Sequence, residues 1–247
     1  MTLPNDDIIQ FLDGRFVLCH RNIEKEEHVG MSHGYKSNQS AVGTTNGAGP
    51  RNVQFMVLAD DETVLHAMPG FWHAQDLIKE LTLGLEIQRL YQDERLEGDR
   101  KQQMFSMLHK SFLRRHGKDM ERRSQWQGFD RWHEIHRVQT EERDTFVKNG
   151  KGEYEIKTVP EVIHDRMVAR PFQKLDDFDL EAFVDYGRPF YDNNHGDRGK
   201  PFSKAERANR KREQALAEER QELARQRAKE ERERKRQERK NRRKQSK

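Results

Sequence analysis

Cys19 is the single thiol among 247 residues, and it sits between Leu18 and His20 in a run, 16–20, that reads as a strand. Neighbouring strand residues face opposite ways, so His20 cannot act as its base within that strand. Dithiol exchange needs an attacking thiolate and a second thiol to resolve the mixed disulfide. One cysteine therefore supports neither a self-contained dithiol oxidoreductase nor an internal disulfide, and a small buried hydrophobe is expected. The eleven histidines raise metal chemistry next. His133-Glu134-Ile135-His136 falls one residue short of H-E-x-x-H; i and i+3 still share a helix face, but zinc takes three or four ligands and no partner is identifiable. His28 and His33 lie in a polar loop, and His109, His116, His164 and His195 are scattered along the chain. They read as ordinary surface or core residues, so no metal, no cofactor and no catalytic residue is assigned. Neither a G-x-S-x-G elbow, a P-loop nor a dinucleotide glycine fingerprint occurs.

The last thirteen residues, KRQERKNRRKQSK, carry eight basic side chains and one acid. Lys235, Arg236, Arg239, Lys240, Arg242, Arg243 and Lys244 are the candidates for neutralising phosphates, which would give salt-sensitive, sequence-independent attachment to RNA or DNA. The run has no aromatic residue on which a base could stack. The same charges also suit a solubilising tail, or contact with the acidic body of another copy.

The elements that must position such groups are clearest between residues 51 and 87. Runs 53–58 and 63–68 are short, β-branched and apolar, and the polar Asp60-Asp61-Glu62 between them predicts a β-hairpin. After Pro69-Gly70 the period changes. Leu77, Ile78, Leu81 and Leu85 recur at three and four residues, the mark of a helix from about Ala74 with one apolar face on a sheet. Residues 24–50 are polar and rich in Gly, Ser, Asn and Thr, which predicts a loop. From 88 to about 147 the pattern is helical through Leu90, Met104, Leu108 and Phe112, with a break at Glu97-Gly98 and a stop at Gly117. Trp126, Phe129 and Trp132 are spaced as an aromatic stripe packed onto the body. Residues 149–159 predict a glycine turn and a short strand, and 161–202 an extended chain with one short helix near 177–184.

The hairpin-helix unit, with Pro50 before it and Gly70 closing its second strand, resembles the closing half of a thioredoxin-like domain. There a cis-proline precedes the hairpin and a helix then covers the sheet. Ile8, Ile9, Phe11 and Leu12, followed by the 16–20 run, also resemble the helix end and strand that follow the redox motif in that family. The resemblance spans roughly residues 3 to 88 and implies an α/β (α+β) fold: a partial thioredoxin-like sheet with covering helices, then a helical and extended region. In that family the residue before the cis-proline presents backbone to a bound chain, which makes Gly49 and Pro50 substrate-groove candidates for a protein or peptide partner. The family's first strand and its CxxC are absent. That strand would lie between 16–22 and the hairpin, so its loss leaves two strand flanks without partners. A start upstream of Met1 would supply it; another segment filling the gap is the alternative.

Charge divides the chain further. Only 32% of residues are hydrophobic and 36% are charged, so part of the chain is solvated. Residues 203–247 hold 19 Lys and Arg against 9 Asp and Glu, so the first 202 residues are net acidic although the whole chain carries +4. Ser203 and Glu206 form an S-x-x-E capping box, and no Gly or Pro interrupts the chain beyond them. A long basic helix follows, whose Leu216 and Leu223 are spaced as in a coiled coil but are too few to make one. The expected organisation is an incomplete thioredoxin-like domain at 1–88, a helical and extended elaboration packed on it at 89–202, and a solvated basic helix at 203–247. No run is long and apolar enough to be a transmembrane helix, and the opening residues lack the blocks of a signal peptide. A cytoplasmic location is expected as written, and an exported one if an upstream leader is missing. Three functions fit: a non-catalytic thioredoxin-like binding or scaffold protein, a thiol-disulfide oxidoreductase whose CxxC lies upstream of an incorrectly assigned start, or an RNA- or ribosome-associated protein acting through its tail.

Overall fold

Asn5 caps the first helix, α1 (Asp6–Leu12), its side-chain oxygen accepting from the Asp7 and Ile8 amides, and Ile8 plants the helix in the core. The computed structural model describes residues 2–3, 5–23, 26, 28–29, 32–33, 44–49, 51–188 and 191–192. The chain divides into two compact units, Met1–Asp197 and Arg198–Lys247. The second unit lies outside the described residues, and so does the basic helix expected over 203–247.

Residues 16–23 form no strand. Val17 is 99% exposed, Leu18 is 68% exposed, and Cys19 faces solvent. Both the strand expected at 16–20 and the buried cysteine are thus corrected. β-Branched residues favour a strand only where a neighbour accepts their backbone, and among the described residues no strand pairs with this run. A two-residue strand, β1 (Ser32–His33), pairs in parallel with β6 (Tyr191–Asp192).

The hairpin forms as its pattern predicts. β2 (Gln54–Leu58) runs antiparallel to β3 (Val64–Pro69), with Phe55 opposite Met68, Val57 opposite His66, and a register shift between Val57 and Leu58. Glu62 takes a positive φ in the turn, where the Ala59 amide bonds the Thr63 carbonyl. Every residue of β3 is buried. Gly70 then turns the corner at φ +77, where a Cβ would lie 2.5 Å from the Ala48 carbonyl oxygen. α2 (Ala74–Gln92) follows and buries Leu77, Leu81, Leu83, Ile87 and Leu90. Its Gly84 faces Val57 so closely that an added Cβ would meet the valine side chain at 3.0 Å.

α3 (Gly98–Met120) begins at the expected break but runs through Gly117. The stop is corrected because Met120, 1% exposed, is buried beyond it, and that packing outweighs the roughly 1 kcal/mol helix cost of a glycine. Phe112 is buried as expected, but the rest of the inward face of α3 lies one residue over from the expected stripe: Phe105 and His109 are buried, while Met104 and Leu108 are half-buried. α4 (Gly128–Arg137) turns its polar side inward, burying Asp130 and Glu134 and leaving Phe129 39% and Trp132 60% exposed. Trp126 of the aromatic stripe is anchored through its indole N–H to the Lys157 carbonyl. β4 (Phe146–Lys148) and β5 (Tyr154–Ile156) form a second hairpin.

α5 (Val159–Val168) replaces the extended chain expected there. Thr158 and Glu161 form a reciprocal capping box and Pro160 occupies the first turn, so the helix start was written locally. It packs against both α3 and β3. α6 (Leu180–Val184) is the short helix expected near 177–184. Among the described residues the architecture is mixed α and β: helices around three two-stranded pairings, with the core between β3, α2, α3 and α5.

Candidate functional site

Four ionisable side chains meet in the middle of that core. β3 supplies His66, α2 Glu80, α3 His109 and α5 His164. His66, Glu80 and His109 are 0% exposed and His164 is 1% exposed. The His66 Nε2 stands 2.7 Å from Glu80 Oε2. The His164 Nε2 is 3.4 Å from each of the two carboxylate oxygens. On its other side, the His164 Nδ1 is 2.8 Å from the His109 Nδ1, so one of those nitrogens donates to the other. The three imidazoles surround one point, with ring centroids 5.0 to 5.5 Å apart. Phe105 packs edge-on to His109, and Phe112 stacks on His164.

Each residue reaches this point because it occupies an apolar position of its element. Glu80 shares the inner stripe of α2 with Leu77, Leu81 and Gly84; His109 lies between Phe105 and Phe112 on α3; and His164 lies with Ile163 and Met167 on α5. Among the described residues, Glu80 bonds His66 and His164 and has no Lys or Arg partner. Burial by itself would raise its carboxyl, but the charge interaction and hydrogen bond with His164, then those with His66, hold it below the usual carboxylate range. Burial lowers His66 despite Glu80, and lowers His109 well below the ordinary histidine value. Among the described residues, His66 Nδ1 and His109 Nε2 have no hydrogen-bond partner. A donor atom each from His66, Glu80 and His164 all lie within 4.8 Å of one another, a span that one metal ion bridges.

Sequence reasoning placed His109 and His164 among the scattered histidines and passed over His66 and Glu80. The available signal was a charged or titratable residue inside an apolar stripe, Glu80 above all. The His133-Glu134-Ile135-His136 segment serves other ends. Glu134 accepts from the Thr145 hydroxyl at 2.7 Å and the Gly187 amide at 2.9 Å, while His136 Nδ1 pairs with the Trp132 carbonyl. Beside it Arg137 and Arg143 both grip Asp185. His116 packs at a tilt against Phe112, His33 lies in β1, and His195 falls outside the described residues.

Gly49 and Pro50 come out differently from one another. The Gly49 carbonyl accepts from the Arg51 guanidinium at 2.6 Å, and Pro50 lies outside the described residues. The segment before them is pinned: Asn46 is buried, donates to Asp76 and Ser124, and accepts from the His73 amide. Lys235, Arg236, Arg239, Lys240, Arg242, Arg243 and Lys244 also fall outside the described residues. No helix among the described residues is long and apolar enough to cross a membrane. Comparison of the chain with protein-family models, curated proteins and solved structures finds no match.

Proposed function

We propose that this chain is a non-catalytic binding or scaffold protein, built on a hairpin-helix unit like the closing half of a thioredoxin-like domain, which takes an extended peptide alongside β2. One observation carries this reading. The outer edge of β3 is paired where the strand begins, because the Val64 amide bonds the Gln173 carbonyl and the Leu175 amide bonds the Glu62 carbonyl, and every residue of β3 is buried. The outer edge of β2 has no backbone partner among the described residues. The Gly70 amide bonds the Val53 carbonyl, and from that register Gln54 and Met56 turn their N–H and C=O groups away from β3. Unpaired strand edges accept added strands, with main-chain hydrogen bonds supplying affinity.

Two further features support binding over dithiol chemistry. Cys19 is the single thiol and is exposed, with no second thiol to resolve a mixed disulfide. The titratable cluster is closed to solvent, so no substrate reaches it as it stands.

The test uses the full chain against an array of immobilised extended peptides rich in Val, Ile and Thr. Met56→Pro removes an outward N–H without removing a hairpin hydrogen bond, so it should fold and lose the bound peptides. Peptide binding by the wild type that survives Met56→Pro would overturn the reading. So would disulfide reduction by the full chain that disappears in Cys19→Ser, which would favour the oxidoreductase alternative.

A further inference from the structure

We propose that His66, Glu80 and His164 bind one zinc-class divalent ion, with His109 orienting His164 from behind, and that this ion ties β3, α2, α3 and α5 together. The proposal does not depend on the edge-binding function above.

The spacing of the donors points to an ion. Donor atoms about 2.0 to 2.2 Å from a tetrahedral ion stand about 3.3 Å apart from one another. The His164 Nε2 is 3.4 Å from both Glu80 oxygens. A charged imidazolium–carboxylate hydrogen bond would close to about 2.8 Å on one oxygen; the wider, symmetric separation matches a carboxylate fork and an imidazole facing one ion. His66 Nε2, now 2.7 Å from Oε2, needs only a small side-chain rotation to join them. With Glu80 chelating through both oxygens, whose shared carbon holds them closer together than two tetrahedral positions, two nitrogens and one carboxylate make a distorted four-donor set, which suits a site that holds no open face to solvent.

The chemistry of the surroundings agrees. A buried carboxylate needs compensating positive charge, and among the described residues Glu80 has no Lys or Arg to supply it. Half the donors are imidazole nitrogens, which selects the zinc class over magnesium or calcium, whose sites are built from oxygen. With Nε2 of His164 on the ion, its Nδ1–H donates to His109 Nδ1, the outer hydrogen bond that fixes a ligating histidine's tautomer and ring plane. Phe105 and Phe112 close the shell around the two rings. Full burial makes the ion a structural staple rather than a centre for substrate.

The experiment refolds the full chain from denaturant with and without Zn2+, because a closed site loads most readily before the core forms. Bound metal is then measured after dialysis, and Co2+ is substituted to read coordination from its visible spectrum. The expected result is one Zn2+ per chain, an intense four-coordinate Co2+ spectrum and a higher thermal midpoint with metal than after chelation. Glu80→Gln keeps the shape of the side chain and should weaken the ion by at least about ten-fold. His164→Ala should abolish binding, whereas His116→Ala and a His28→Ala/His33→Ala double variant should keep it. If His164→Ala does not fold, the wild-type stoichiometry and Co2+ spectrum together with Glu80→Gln decide. Failure to retain an ion, a pale six-coordinate Co2+ spectrum, or equally tight binding in Glu80→Gln would overturn the proposal and leave a hydrogen-bonded imidazole–carboxylate core.

Discussion

Gly70 shows how much a single position carries. It turns the chain from β3 into α2 at φ +77, and its missing Cβ leaves room for the Ala48 and Gly47 carbonyls, 2.5 and 2.8 Å from where that atom would sit. Because the obstruction is backbone, it cannot swing aside. Gly70→Ala should therefore cost more than the roughly 1 kcal/mol of a left-handed alanine alone, read as a lowered urea midpoint with an unchanged slope. The expected Pro-Gly corner is thus present, and its necessity could be argued from residue types, since glycine alone tolerates that φ freely. Cys19 is the opposite case. Its neighbours read as a strand, but a residue's burial depends on what lies alongside, and among the described residues no strand pairs with 16–23.

The helices separate what is local from what is not. The start of α2 at Ala74 and the break before α3 followed from period and glycine placement, because both signals are written within one turn. α5 carries the same kind of local signal, which the sequence reading passed over. Thr158 and Glu161 spell its capping box, although the prolines and aromatics around it suggested extended chain. Thr158→Ala should cost about 1 kcal/mol through the lost cap, and because α5 carries His164, it should also loosen the buried cluster. Amide exchange of residues 159–168 that rises ahead of the α2 amides would show this; uniform exchange would refute it. α4 resists reading from hydrophobicity, because it buries Asp130 and Glu134 and exposes Trp132. The inversion comes from Arg137 and Arg143, whose bonds to Asp185, together with those of Thr145 and Gly187 to Glu134, make the polar face the one that packs.

Across the described molecule, this ion network makes stability depend on acid. Burial would raise the Asp185 carboxyl, but the hydrogen bonds and charges of Arg137 and Arg143 outweigh it and hold Asp185 below its ordinary value of 3.8. Asp144 is lowered too, where burial is outweighed by Arg166. A depressed folded-state value means that these carboxylates contribute stability above pH 3.8 and lose it as pH falls below that, toward their folded values. Both side chains are about half exposed, so solvent keeps the effect modest. The urea midpoint should fall as pH drops from about 5 to about 2, and Asp185→Asn should flatten that slope; an unchanged slope would remove the network from the account. The amino-acid sequence by itself determined the β2–β3 hairpin, α2, the break before α3 and the charge imbalance, because turns, helical periods and caps act over a few neighbouring residues. Only the tertiary structure decided that His66, Glu80, His109 and His164 share one dry point, that Cys19 is exposed, and that α4 faces its charges inward. Those outcomes depend on which distant segments exclude water from one another, and no spacing along the chain encodes a contact between residues 66 and 164.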